Sequence, residues 1–222
     1  MAINVRPPIV TNGLVLNLDV ANTKSYSRLG TTWRDLSGFN NNGTLTNGPT
    51  FNSVNGGSIV FDGVDDYVQT PYVSQLNNFS VCSWFKNNSS TGYARIVDKS
   101  YQTGFWFGQN GLVLNQWGGG IRQTINYGFI TLSNNDWHYL VMTRSGTISI
   151  LYGDGITNTN TFTCGSGTTD TTALSIGGTV NDGAGQRDWY KGNIAIVQLY
   201  NRVLSAQEVL QNYNATKSRF GL

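Results

Sequence analysis

The chain is poor in charge, in glutamate, in histidine and in cysteine. Only 12% of its 222 residues are charged, about half the usual share of roughly 25%. Among its 12 acidic residues the one glutamate is Glu208. His138 is the one histidine, and Cys82 and Cys164 are the two cysteines. Each absence excludes something. A net charge of +2 without a dense Lys/Arg run lacks the footprint of a nucleic-acid binder. Two cysteines and one histidine can build neither a disulfide framework nor a four-ligand zinc site. No run approaches the roughly 18 uncharged apolar residues of a spanning helix, so membrane insertion is not expected. The opening MAINVRPPIV has no apolar h-region or small-residue cleavage site, so no secretory signal is expected.

What is present is turn chemistry and aromatic bulk. Gly (27), Asn (26), Thr (24) and Ser (18) dominate. Hydrophobic residues at 39% and aromatics at 12% suffice for a core. Short apolar runs recur between Gly and Asn punctuation, as in sandwiches and barrels. Leu14, Leu16 and Leu18 alternate on one face. Ser58–Phe61 and Tyr67–Gln69 flank a turn, Asp62-Gly63-Val64-Asp65. Phe79, Val81, Ser83 and Phe85 share a face, opposite Cys82 and Trp84. Further strands are expected at Ala94–Val97, Phe105–Phe107, Leu112–Asn115, Trp137–Thr143, Thr147–Tyr152, Leu174–Ile176 and Asn193–Tyr200. One helix is signalled by the capping box Ser205-Ala206-Gln207-Glu208, with Val209, Leu210 and Tyr213 at helical spacing. The reading is all-β, with an extended arm over 1–11, one domain over 12–216 and a tail over 217–222.

Several segments carry a resemblance. In chain order they are Asn12-Gly13-Leu14-Val15-Leu16-Asn17-Leu18-Asp19, Trp33-Arg34-Asp35-Leu36-Ser37-Gly38, Phe61-Asp62-Gly63-Val64-Asp65-Asp66-Tyr67-Val68, Phe79 to Trp84, Trp137-His138-Tyr139-Leu140-Val141, and Tyr190-Lys191-Gly192-Asn193. Together they resemble the laminin-G-like, concanavalin A-like lectin/glucanase domains. The resemblance implies a two-sheet antiparallel jelly-roll sandwich with one short C-terminal helix. More narrowly, the amino-terminal arm and the ending Asn212 to Leu222 are similar to stand-alone lectin-like proteins of tailed bacteriophages. That likeness implies a non-enzymatic virion structural protein, either a capsid decoration or a fibre- or tail-associated adhesin. It would be assembled in the host cytoplasm. Its partners would be other virion proteins, host or environmental glycans, and further copies of itself. The arm Met1–Val10 or the tail Lys217–Leu222 would dock it.

The chemistry open to such a fold can be weighed residue by residue. Retaining hydrolysis needs two carboxyls about 5–5.5 Å apart. The glucanase branch supplies glutamates, and here the single Glu208 is expected to cap a helix. An atypical, Asp-based glycan hydrolase is the remaining enzymatic alternative. His138 is expected to be a strand residue with a satisfied hydrogen bond. Calcium wants several hard oxygens, and Asp62, Asp65 and Asp66 are the first candidates. Asp19 and Asp35 follow, then Asp182 with Asp188; the competing role for all of them is Asx-turn formation. The main alternative function is thus a calcium-assisted carbohydrate-binding module. Sugar faces stack on exposed aromatics, and Trp117, Tyr127, Trp189 and Trp106 lie in loop-like surroundings. Trp33, Trp84 and Trp137 are expected in the core. Cys82 is expected as a small free core thiol.

Overall fold

The computed structural model describes residues 6–72, 77–88, 94–99, 135–156, 158–163, 171–180, 185 and 188–222, and the backbone of three strands between 105 and 126. In chain order the strands are β1 (Leu14–Asp19), β2 (Thr32–Trp33), β3 (Gly43–Thr46), β4 (Thr50–Asn52), β5 (Ser58–Asp62), β6 (Tyr67–Gln69), β7 (Asn78–Asn87) and β8 (Arg95–Asp98). Then come β9 (Phe105–Gly108), β10 (Leu112–Asn115), β11 (Thr124–Asn126), β12 (Trp137–Ser145), β13 (Ile148–Gly153), β14 (Asn158–Thr163), β15 (Ser175–Ile176) and β16 (Lys191–Tyr200). One helix follows, α1 (Ala206–Thr216).

These strands form two antiparallel sheets. The first runs β14-β13-β12-β7-β16-β5-β4; the second runs β11-β10-β9-β8-β15-β6-β3-β2. Strand β16 organises the first sheet. One edge pairs with β7 over its length, and the other is divided between β5, opposite Lys191 to Ile194, and β1, opposite Ile196 to Tyr200. The register of β7 on β12, with Val81 opposite Met142 and Phe85 opposite His138, is the expected core pairing.

Period-2 alternation explains the core between the sheets. Leu16, Leu18, Phe61, Val68, Phe79, Val81, Phe85, Ile96, Leu140, Met142 and Ile194 are all buried there. The opposite residues of the same strands are buried too. Cys82, Trp84, Tyr139, Val141 and Ala195 join Val209 and Phe220 in a second cluster on the outer face of the first sheet. Trp33 is fully buried, as expected, but Trp137 is only half-buried.

Three features go beyond the sequence reading. First, the turn after Asp62 links two sheets. It carries the chain from β5 in the first sheet to β6 in the second, because Ile59 and Phe61 must face Val68 across the sandwich. Second, residues 8–10 of the arm and the tail pack on the body. The Val10 amide donates to Asn212 Oδ1 at 2.8 Å, and the Val10 carbonyl accepts from the Tyr200 hydroxyl at 2.9 Å. Gln211 donates to the Pro8 carbonyl at 2.8 Å. In the tail, the Phe220 ring stacks on Trp84 with centroids 4.1 Å apart, and Arg219 meets Asp19 at 2.6 Å and the carbonyls of Asn55 and Gly57. Third, the helix buries Val209 and Asn212, whereas Leu210 and Tyr213 are half-buried. A polar residue takes the inner position because the arm and Tyr200 need its amide.

Candidate functional site

The corner between the sheets gathers several of the singled-out residues. Asp62 ends β5, Asp65 and Asp66 close the turn, and Tyr67 begins β6. Carboxylate oxygens of Asp62, Asp65 and Asp66 lie within 4.8 Å of one another. Asp62 and Asp65 are exposed, and Asp66 is buried. Some of their capacity is spent on the turn. The Val64 amide donates to Asp62 Oδ1 at 2.8 Å, and the Asp62 amide donates to Asp66 Oδ2 at 2.9 Å. Burial pushes the Asp66 carboxyl up, and the charges of Asp62 and Asp65 add to this, opposed by the Asp62 amide. A divalent cation would relieve that crowding, and the remaining carboxylate oxygens are the hard donors calcium takes. The donor set therefore fits such an ion.

Next to this turn lies an aromatic pair. The rings of Tyr67 and Trp189 are stacked, with centroids 6.1 Å apart at 26°, and both side chains are half-buried. Gly178 packs close against Trp189; a Cβ there would sit 2.3 Å from the indole. The two rings form a half-buried stack beginning one residue after Asp66. Two half-exposed rings beside oxygen donors suit a ligand with an apolar C–H face and hydroxyl edges.

The other candidates are distributed differently. Trp117 and Tyr127 lie outside the described residues; of Trp106 only the backbone, in β9, is described. Asp182 also lies outside them. Asp35 is consumed as a turn organiser: it accepts from the amides of Asn17 (2.9 Å), Ser37 (2.8 Å) and Asn41 (3.0 Å) and from the Ser37 hydroxyl (2.7 Å). Asp19 is paired with Arg219, and Asp188 with the buried Arg95 at 2.8 Å. None of these three joins the acidic cluster.

Glu208 completes the expected capping box and in addition takes two bonds from Arg202, at 2.6 and 3.0 Å. His138 is a strand residue with its Nδ1 2.9 Å from Asp154 Oδ2, as expected, but its Nε2 is buried without a partner. Trp137, expected in a core strand, packs half-buried against the second cluster. It starts β12, where the cover of the helix and tail runs out, and it lines two cavities. Its position at the strand's first residue was the available signal.

The fold and site define a lectin-like jelly-roll domain. A family model described as the concanavalin A-like lectin/glucanases superfamily matches residues 62–210, and the chain belongs to that family. No curated protein matches the sequence. Among solved structures, the botulinum neurotoxin serotype D binding domain superposes with a TM-score of 0.70 at 15% identity, covering 92% of this chain and 52% of that one. The binding domain of botulinum neurotoxin DC in complex with SialylT gives 0.70 at 14% identity, covering 93% and 52%. Domain 4 of AbnA, a GH43 extracellular arabinanase from Geobacillus stearothermophilus, in complex with arabinotriose, gives 0.69 at 17% identity, covering 90% and 98%. The chain thus spans about half of the toxin binding domains it matches, 52%. At these identities the likeness is one of fold.

Proposed function

We propose that this chain is a non-catalytic carbohydrate-binding module whose site is the inter-sheet corner at Asp62–Tyr67 and Trp189. The observation that carries the reading is the half-exposed Tyr67–Trp189 stack beside the acidic cluster. Two of the similar structures, named as complexes with SialylT and with arabinotriose, support it. The rings take the C–H face of a sugar. Asp62, Asp65 and Asp66 hold calcium, which orders the turn and with it Tyr67. The Glu208 engagement with Arg202 and Ser205 supports the absence of a hydrolytic role for that glutamate.

A glycan array with and without chelator tests the reading. Binding that is lost in Trp189→Ala, with an unchanged melting temperature, is the expected result. A folded protein that binds no glycan in either condition would sink the proposal. Calcium alone should raise the melting temperature of the native chain and not that of Asp66→Asn.

Display on a phage particle is a further setting for the same module, favoured by the likeness of the chain's ends to phage lectin-like proteins. Docking would then use a face other than the arm and tail segments that pack on the body. Mass spectrometry of purified virions checks it; absence of the protein from the particle rejects it.

A further inference from the structure

Trp189 is not in a strand. It stands two residues before β16, so the backbone on either side of it decides where its ring goes. Both neighbours are anchored. Tyr190 is fully buried, and its amide donates to the Gly177 carbonyl at 2.9 Å. Asp188 is held twice by one residue of β8. The Arg95 amide donates to the Asp188 carbonyl at 2.9 Å, and Arg95 Nη2 donates to Asp188 Oδ2 at 2.8 Å. The turn packed against the indole is tied to the same strand. The Gly177 amide donates to the Ile96 carbonyl at 3.1 Å, and the Ser175 hydroxyl donates to the Gly178 carbonyl at 2.7 Å. Two consecutive residues of β8 therefore hold both the residue before Trp189 and the turn that its ring meets.

Asp188 adopts an unusual backbone to do this. Its φ is +57°, in the left-handed region that Asp and Asn tolerate better than other side chains but that favours glycine. A residue persists there when its surroundings over-determine it, and such residues gather at ligand sites. Charge balance alone does not account for its pairing. Arg95 already has a buried counterion in Asp98, at 2.6 Å from Nη1. Asp188 is the second carboxylate on the planar guanidinium fork, with its side chain 20% exposed, and it immediately precedes the ring stacked on Tyr67.

We infer that Asp188 is a positioning residue of the glycan site: clamped by Arg95, it sets the Trp189 ring against Tyr67 before a sugar arrives. The inference deepens the glycan-binding reading of this corner and rests on it. A ring held in advance loses little freedom on binding, which leaves more of the stacking energy as affinity. The site thus reaches inward, through Asp188, to the buried Arg95–Asp98 pair.

Variants of the full chain, followed by ¹H–¹⁵N NMR of the indole groups, test this. The Trp189 resonance is assigned by its loss in Trp189→Phe, and its unstacked position is read from Tyr67→Leu. Asp188→Gly keeps the left-handed backbone and removes the carboxylate. In it the Trp189 resonance should move towards the Tyr67→Leu position, with the melting temperature little changed because Asp98 still neutralises Arg95. Whichever of arabinotriose and sialyllactose the native chain binds should bind Asp188→Gly about tenfold more weakly. Asp188→Asn, which tolerates the same backbone and keeps an acceptor for Arg95, should recover most of that loss. If Asp188→Gly does not fold, Asp188→Asn carries the test, with a smaller shift in the same direction. A Trp189 resonance that stays at its native position, or moves elsewhere, overturns the positioning role. So does a moved resonance with unchanged affinity. If the resonance moves as expected but the native chain binds neither sugar, the clamp stands and the glycan reading of the corner fails.

Discussion

Glu208 accepts two hydrogen bonds from the Arg202 guanidinium, at 2.6 and 3.0 Å, while its Oε2 also accepts from the Ser205 amide at 2.9 Å. The one glutamate of the chain thereby joins the end of β16 to the start of α1. The Arg202 guanidinium, foremost, and the Ser205 cap hold its carboxyl down at about 2, below the ordinary 4.5. A carboxyl lowered by folding stabilises the native state above its ordinary value, and the contribution is lost as pH falls towards 2. Glu208→Gln should cost about 1–2 kcal/mol at neutral pH. Urea unfolding of both proteins should show that difference shrinking from pH 5 downward; a constant difference would refute the pairing as its origin.

Phe220 closes the second core. Its ring meets Trp84 at 4.1 Å and Trp137 at 4.7 Å between centroids, and it is 7% exposed. Phe220→Ala should lower stability by about 3 kcal/mol. Tryptophan emission should move to longer wavelength as Trp84 is wetted. Unchanged stability would mean that the tail is an appendage after all.

Arg95 and Asp98 form an ion pair at 2.6 Å with both residues almost fully buried, and Asp188 approaches Arg95 from the other side at 2.8 Å. Removing the cation takes its ion-pair partner from the buried Asp98 carboxylate. Arg95→Met should therefore destabilise the fold by about 3–5 kcal/mol. Denaturant midpoints measure this, and a loss under about 1 kcal/mol would place the pair among those that contribute little.

Cys82 is fully buried beside Tyr139, and burial pushes its thiol up to about 12. A thiol reagent added to Cys164→Ser at neutral pH should find no reactive group until denaturant is present. Rapid labelling of the native protein would contradict that burial.

Much of the body was legible before any coordinates. Alternation at Phe79–Phe85 and Trp137–Thr143 is a local property of strands, and it identified the central pair β7 and β12. The capping box at Ser205 is a four-residue pattern, and it set the helix start. Short polar strands were missed: β3, β4 and β14, with sequences GTLT, TFN and NTNTFT, carry little apolar signal, and pairing to neighbours makes them strands. The candidate site was legible in pieces. The Asp62–Asp66 turn and Trp189 were each singled out, but Tyr67 was not assigned to a site, because its partner lies more than a hundred residues away.

The sequence by itself determined an all-β domain, a capped C-terminal helix and the loss of the fold's usual glutamate pair, since these depend on residue type and near-neighbour spacing. Only the tertiary structure decided the rest. It carried the Asp62 turn between sheets, folded the arm and tail onto the body, and left Trp137 at the edge of the cover. Those outcomes depend on which distant surfaces meet, as when Asn212 reaches Val10 at 2.8 Å and Phe220 covers Trp84 at 4.1 Å. Such contacts are long-range gains in burial and hydrogen bonding, and no local pattern records them.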